Sequence, residues 1–266
     1  MKLKAVILDW AGTVVDFGSR APIAALQSVF ASADVPVTVG EARESMGLAK
    51  KEHIRAILAI SRVREAWTAV HSTLPNESAV DKLYTDFVPR QIEVLVKYER
   101  LIPGVADAVQ RMRARGLKIG TTTGYNRAML DYLLEHAAEQ NFRPDSALCP
   151  DDVSAGRPFP WMCYLTALKL QVYPLSSFVK IGDTPTDVEE GRNAGMWTIG
   201  ITRTGNECGL TEEEWENLQE SDQKELLAIA ERRLFSAGAH YTAPSVAECD
   251  DILAEIDRRL ARNETP

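Results

Sequence analysis

Polar groups with the makings of a reaction centre follow short apolar runs at several points of this chain. The run Ala5-Val6-Ile7-Leu8 leads straight into Asp9, after which Trp10-Ala11-Gly12-Thr13 forms a small-residue turn. The stretch LKIGTTTGY ends in a polar turn carrying Thr123, Gly124 and Tyr125, and SFVKIGDTPTD rises to Asp183, with Asp187 following. Arg157-Pro158 stands between those two stretches. A buried parallel strand that ends in a carboxylate delivers it to the edge where open α/β sheets keep their sites. A hydroxyl beside free backbone N–H groups can hold a phosphoryl oxygen, and neighbouring carboxylates offer a hard cation its oxygen ligands. Each feature alone also has an ordinary reading. Asp9 could be a cap or turn residue, Thr123-Gly124 a common turn, Asp183 to Asp187 a helix N-cap with a solvated acid, and Arg157 a surface charge.

The elements that must position these groups are legible from periodicity. Strand-like segments at Ala5–Leu8, Leu117–Gly120, SFVKIG and MWTIGI alternate with helical patterns such as VADAVQRMRARG, where Gly116 suits a C-cap. That alternation predicts an α/β fold with a doubly wound, Rossmann-like parallel sheet. The interval from about Pro22 to Arg100 has no convincing strand. It reads instead as helices over APIAALQSVFAS, VGEARESM, KKEHIRAILAI and RVREAWTAVHS, with a long one after Asn76. Thr38 with Glu41, and later Thr211 with Glu214, have capping-box spacing, and Pro89 should kink or divide the long helix. The expected organisation is therefore an α/β core domain of residues 1–20 and 101–266 with an inserted all-helical cap domain of residues 21–100. Hinges are expected near Gly18–Ala21 and Tyr98–Pro103. In the tail, HYTA reads as a short strand and SVAECDDILAEIDRRL as a closing helix.

With 30 basic against 38 acidic residues the net charge is −8, which argues against nucleic acid as the main partner. No apolar run approaches the roughly 20 residues that span a bilayer, so no membrane role is expected. Cys149, Cys163, Cys208 and Cys249 show neither CxxC spacing nor a disulfide-rich pattern. A soluble protein of the cytoplasm is the expectation.

Asp9, Thr123-Gly124, Arg157 and the Asp183/Asp187 pair stand in the order of the haloacid dehalogenase-like (HAD) hydrolase motifs, and the joint pattern is far more specific than any member. The resemblance implies that Asp9 is a nucleophile, that Thr123 and Gly124 hold a phosphoryl group, and that Arg157 pairs with both. It further implies Mg²⁺ bound by Asp9, the Ala11 carbonyl and Asp183, with Asp187 supporting the ligands. Most phosphatases of that superfamily place a second Asp two residues after the first, to protonate a departing alkoxide; here the position is Ala11. Within the helical interval, MGLAKKEHIRAIL places Met46, Gly47, Lys50 and His53 at a break between helices. Taken with DWAGT at Asp9–Thr13, TTGY at Thr122–Tyr125, GRPFPWM at Gly156–Met162 and EGRNAGMWT at Glu190–Thr198, this closely resembles the phosphonatase (phosphonoacetaldehyde hydrolase) family over nearly the whole chain. By itself Lys50 would be a solvated lysine beside Lys51. The resemblance makes it a Schiff-base lysine, with Met46, Tyr125 and His53 around the substrate, and implies a homodimer built through cap helices. Ser19 stands where some relatives carry Cys, and Arg20 is an unexpected charge at the hinge.

Ala11 and Lys50 make one chemical argument. Direct cleavage of a P–C bond would expel a carbanion, whereas a protonated imine one carbon away accepts the electrons and leaves as an enamine. An acid at position 11 then has no alkoxide to protonate. Imine formation needs a free amine, and burial together with the adjacent Lys51 charge is expected to lower the Lys50 pKa. His53 is a candidate for proton handling beside it. The implied partner is a small phosphonate, cleaved during phosphonate degradation. The competing readings are a sugar-phosphate phosphatase or mutase, which Ala11 disfavours; a haloacid dehalogenase, which would not need Asp183 and Asp187; and a non-catalytic sensor of a phosphorylated ligand, which the retained Asp9, Lys50, Arg157 and Asp183 disfavour.

Overall fold

The computed structural model describes residues 2–266. Its centre is a six-stranded, wholly parallel sheet in the order β3-β2-β1-β4-β5-β6. The strands are β1 (Ala5–Leu8), β2 (Lys118–Thr122), β3 (Ser146–Leu148), β4 (Phe178–Gly182), β5 (Trp197–Ile201) and β6 (Tyr241–Ala243). Every residue of β1, β4 and β5 is buried, as their nearly continuous apolar runs require when helices cover both faces.

Register places the chemistry. Leu8 lies level with Thr121 of β2 and Ile181 of β4, and the Asp9 N–H continues the ladder to the Ile181 carbonyl at 2.9 Å. Asp9, the Thr122-Thr123 pair and Asp183 therefore leave the carboxyl edge of three adjacent strands side by side. The sheet order turns at β1, so this edge lies at the crevice where open α/β sheets bind their ligands.

Between β1 and the next strand the chain forms the insert: α1 (Ala21–Ser32), α2 (Val39–Arg43), α3 (Lys50–Ala59), α4 (Ser61–His71) and α5 (Glu77–Leu95). The buried Leu26, Phe30, Ile54, Ile57, Leu83 and Phe87 belong to one cluster shared by α1, α3 and α5. Thr38 and Glu41 form the expected capping box of α2. Pro89 lies inside α5 without dividing it, contrary to the division allowed for above: α5 runs as one helix from Glu77 to Leu95. Helix α2 ends at Arg43 and not near Met46, leaving Met46 to Ala49 as a turn that presses on the sheet edge.

The remaining helices are α6 (Val105–Ala114), α7 (Arg127–Glu139), α8 (Trp161–Leu170), α9 (Pro185–Asn193), α10 (Glu212–Glu216), α11 (Glu220–Ser236) and α12 (Asp250–Ala261). The closing helix starts later than its pattern suggests. Ser245 caps a single 3₁₀ turn at Val246–Glu248, and α12 follows from Asp250. Among the described residues no helix is long and apolar enough to cross a membrane.

Candidate active site

The carboxyl edge of β1, β2 and β4 and the Met46–Lys50 segment of the insert enclose one cavity. Asp9, Ala11, Thr123, Gly124, Arg157 and Asp183 line it from the sheet side, Met46, Gly47 and Lys50 from the insert, and Ser19 and Tyr125 from between. Gly124 permits the close approach of the two sides, since a Cβ there would lie 2.4 Å from the Leu48 carbonyl oxygen. Thr186 of α9 adds a tie, its hydroxyl donating to the Met46 carbonyl at 3.3 Å.

Arg157 is the electrostatic hub. Its guanidinium, fully buried, donates through Nη2 to Asp9 Oδ1 at 2.7 Å and to the Thr122 carbonyl at 2.6 Å. Nη1 lies 2.8 Å from Asp187 Oδ1, and Nε donates to Glu190 Oε2 at 3.0 Å. Lys180 reinforces this array, with Nζ 2.7 Å from Asp187 Oδ1 and 3.1 Å from Thr122 Oγ1. Sequence reasoning missed Lys180 and Glu190. The signals were a lysine inside an otherwise apolar strand, and a glutamate three residues after Asp187 on the same face of α9. Two buried cations facing Asp9, Asp187 and Glu190 fix the donor geometry around Asp9 in a way that a mobile surface arginine could not.

The carboxylates differ in their commitments. Asp187 is held ionised: burial opposes its charge, but Arg157 and Lys180 outweigh that and lower its pKa. Asp9 is pushed up by burial and by Asp187, with Arg157 pulling the other way. Asp183 is pushed well above the carboxylate range by burial, then by Asp9 and Asp187. Its Oδ2 accepts the Asn206 N–H at 2.8 Å, whereas Oδ1 is buried with no hydrogen-bond partner among the described residues. Oxygens of Asp9, Asp183 and Asp187 come within 4.8 Å of one another. An orphaned carboxylate oxygen on Asp183, beside the likewise raised Asp9, is what a hard divalent cation relieves. With Asp187 already satisfied by Arg157, Lys180 and Thr184, the residues fit Mg²⁺ held by Asp9 and Asp183 with Asp187 behind them.

In the β2 turn, the Thr123 N–H donates to the Leu148 carbonyl at 3.2 Å, so it is not the free donor expected from sequence. The Thr123 hydroxyl accepts the Tyr125 N–H at 3.1 Å and keeps its own hydrogen to donate, leaving it and the Gly124 amide as the turn's donors. Tyr125 is buried, and burial raises its phenol well above 10, so it stays protonated.

Lys50 is buried at the first position of α3. Its Nζ lies 3.8 Å from Met46 Sδ and 5.2 Å from the centre of the Tyr125 ring. Burial, with a smaller contribution from the Arg157 charge, outweighs the opposing pull of Asp9 and Asp183 and lowers its pKa to about 8. Lys51 is not the source: it points outward and pairs with Asp81, so its charge is spent at the surface. Neighbours in sequence on a helix face different directions, and the effective like charge comes from across the cavity. His53 is fully buried and does not line the cavity. Its Nε2 faces the Ala42 carbonyl at 2.8 Å and must carry the ring proton, since a carbonyl only accepts. Burial and Lys50 depress its pKa to about 3, so the ring is neutral and braces α3 against α2, with the bare Nδ1 as its sole proton acceptor.

The family model for haloacid dehalogenase-like hydrolases matches residues 3–195. The chain is 45% identical over 264 residues to the phosphonoacetaldehyde hydrolase of Syntrophobacter fumaroxidans, covering 99% of this chain and 95% of that protein. It is 42% identical over 259 residues to that of Bacillus cereus, covering 97% and 98%. Among solved structures, a phosphonoacetaldehyde hydrolase-like protein from Oleispira antarctica superposes with a TM-score of 0.99 at 42% identity, over 100% of this chain and 96% of that one.

Proposed function

The chain belongs to the haloacid dehalogenase-like hydrolases, in the branch of the phosphonoacetaldehyde hydrolases, and from that membership and the make-up of the cavity we propose that it cleaves the P–C bond of phosphonoacetaldehyde to give acetaldehyde and phosphate. The observation that carries this reading is a buried lysine, with its pKa lowered to about 8, lining the same cavity as a strand-end aspartate whose expected acid partner is replaced by Ala11.

The neutral Lys50 amine adds to the aldehyde carbon and, with loss of water, forms a protonated imine. Asp9 then attacks phosphorus in line, and the P–C bonding pair moves into the iminium to give an enamine and an aspartyl phosphate. Arg157 holds the attacking carboxylate through Nη2 and offers charge to the phosphoryl oxygens, and Thr123 and Gly124 supply neutral donors. Protonation and hydrolysis of the enamine release acetaldehyde and free Lys50; water cleaves the aspartyl phosphate. Mg²⁺, held by Asp9, the Ala11 carbonyl and Asp183, would neutralise charge shared by nucleophile and phosphoryl group. The chain works as a core of residues 1–20 and 101–266 with a cap of residues 21–100. Assembly as a homodimer through the cap and a place in the cytoplasm belong to the same proposal; the four buried, unpaired cysteines suit a reducing setting.

The direct test is release of phosphate and acetaldehyde in equal amounts from phosphonoacetaldehyde, against an ordinary phosphate monoester at the same concentration. Turnover of the ester alone would remove the proposal. The metal assignment makes its own prediction. Mg²⁺ should raise the wild-type melting temperature, because a ligand that binds only the folded state stabilises it. Asp183→Ala should lose that shift together with activity, and an unchanged Mg²⁺-dependent shift would exclude Asp183 as a ligand.

The lowered Lys50 pKa predicts a pH profile. At pH 7.4 a lysine with pKa about 8 is about 20% neutral, against about 0.1% for an unperturbed one. Since the neutral amine is the reactive form, kcat/KM should rise with pH through about 8 and level off above it. A limb still climbing toward pH 10 would show that burial does not activate Lys50. Lys51→Ala should leave this limb in place, because Lys51 is paired with Asp81 at the surface.

A further inference from the structure

Arg43, the last residue of α2, reaches from the insert to the turn that follows β5. Its Nη1 donates to the Asn206 carbonyl at 3.1 Å, to Asn206 Oδ1 at 2.9 Å and to the Gly18 carbonyl at 3.0 Å, and its Nη2 donates to the Gly209 carbonyl at 2.9 Å. The turn is shaped around the guanidinium: Gly209 has φ +67°, and a Cβ there would lie 2.6 Å from Arg43 Cζ. The same turn reaches the reaction centre from its other side. Asn206, buried, donates its N–H to Asp183 Oδ2 at 2.8 Å, and the Thr204 hydroxyl donates to the Gly12 carbonyl at 2.8 Å in the turn after Asp9. One residue, Asn206, thus faces the insert with its carbonyl and side-chain oxygens and faces the acidic cluster with its amide hydrogen.

We infer that Arg43 is a positioning residue that couples docking of the insert to the cation-holding geometry of Asp183, with Asn206 as the connecting element. When the insert is docked, the planar fork of Arg43 satisfies acceptors on Asn206 and Gly209 together and holds the turn in register. The Asn206 N–H is thereby kept on Asp183 Oδ2, which orients the carboxylate and leaves Oδ1 for the cation. Without Arg43 those acceptors lose their shared donor, and among the described residues the turn has no other tie to the insert of comparable number. By linkage, docking of the insert and cation binding must then favour each other to the same extent. The cation part of this inference rests on the Mg²⁺ reading of Asp9 and Asp183 given above.

The test uses the full chain with MgCl₂ as the probe. Arg43→Lys keeps the positive charge, so any through-space electrostatic effect on the acidic cluster is preserved while the fork is lost. Two quantities are measured: Mg²⁺ affinity by calorimetry, and amide hydrogen exchange across residues 202–210 without Mg²⁺. The inference expects Mg²⁺ binding weakened five- to tenfold and exchange in the turn about tenfold faster, with exchange in β1 and β4 unchanged. Asn206→Ala, which keeps the backbone amide on Asp183 but removes a side-chain acceptor for Arg43, should shift both quantities in the same direction and serves if Arg43→Lys does not fold. Faster exchange with wild-type Mg²⁺ affinity would reduce Arg43 to a strut and overturn the coupling, as would unchanged exchange. A wild-type chain that takes up no Mg²⁺ would instead overturn the metal reading, and the coupling with it.

Discussion

Lys50→Arg should fold, keep its positive charge in the cavity, and lose about four orders of magnitude in kcat on phosphonoacetaldehyde, on the order of 5–6 kcal/mol of barrier. A guanidinium cannot condense with the aldehyde, so P–C cleavage would have to expel a carbanion. The charge that Lys50 places near Asp9 and Asp183 is preserved, which separates the covalent role from an electrostatic one. If the loss were only tenfold, Lys50 would be acting as a cation and the imine route would be wrong. Circular dichroism and melting of the variant check folding, because the larger side chain enters a buried position beside Met46 and Tyr125.

Asp9→Asn should reduce phosphate release about 10⁴-fold or more, since an amide oxygen is a poor nucleophile toward phosphorus. The substitution is nearly isosteric, and Arg157 can still donate to the amide oxygen, so the buried array of Arg157, Lys180, Asp187 and Glu190 should hold. The variant should nevertheless form the imine, because Lys50 lies on α3 of the insert and not on the sheet. Mass spectrometry after reduction would then show a phosphonoethyl adduct on a protein that releases almost no phosphate. Near-normal phosphate release would exclude Asp9 as the nucleophile.

What could be read from the sequence depended on whether a group's role was written locally. Asp9, Thr123 and Asp183 each follow an apolar strand, and three parallel strands in near-equal register must bring their ends together. The helices of the insert were legible from their apolar faces and from the Thr38–Glu41 box. The three-residue β3 is too short to show a period, and the 17-residue α11 carries charge over much of its surface, so its helical stripe is weak. Lys180 and Glu190 escaped because their meaning is tertiary. A lysine in β4 and a glutamate in α9 become one electrostatic unit only when the strand and helix pack together. The same limit explains Lys51, whose sequence neighbourhood with Lys50 suggested an influence that the helix geometry removes. Arg43 and Asn206 lie far apart in the chain and carried no local sign of their contact.

Borohydride trapping tests the central claim most directly. Sodium borohydride added together with phosphonoacetaldehyde should inactivate the wild-type chain irreversibly, by reducing the imine to a stable secondary amine. Peptide mass mapping should place the adduct on Lys50, with none on the adjacent Lys51, whose amine lies outside the cavity and pairs with Asp81. Borohydride without substrate should leave both mass and activity unchanged. An adduct on another lysine, or full activity after borohydride and substrate together, would contradict the Schiff-base mechanism for this chain.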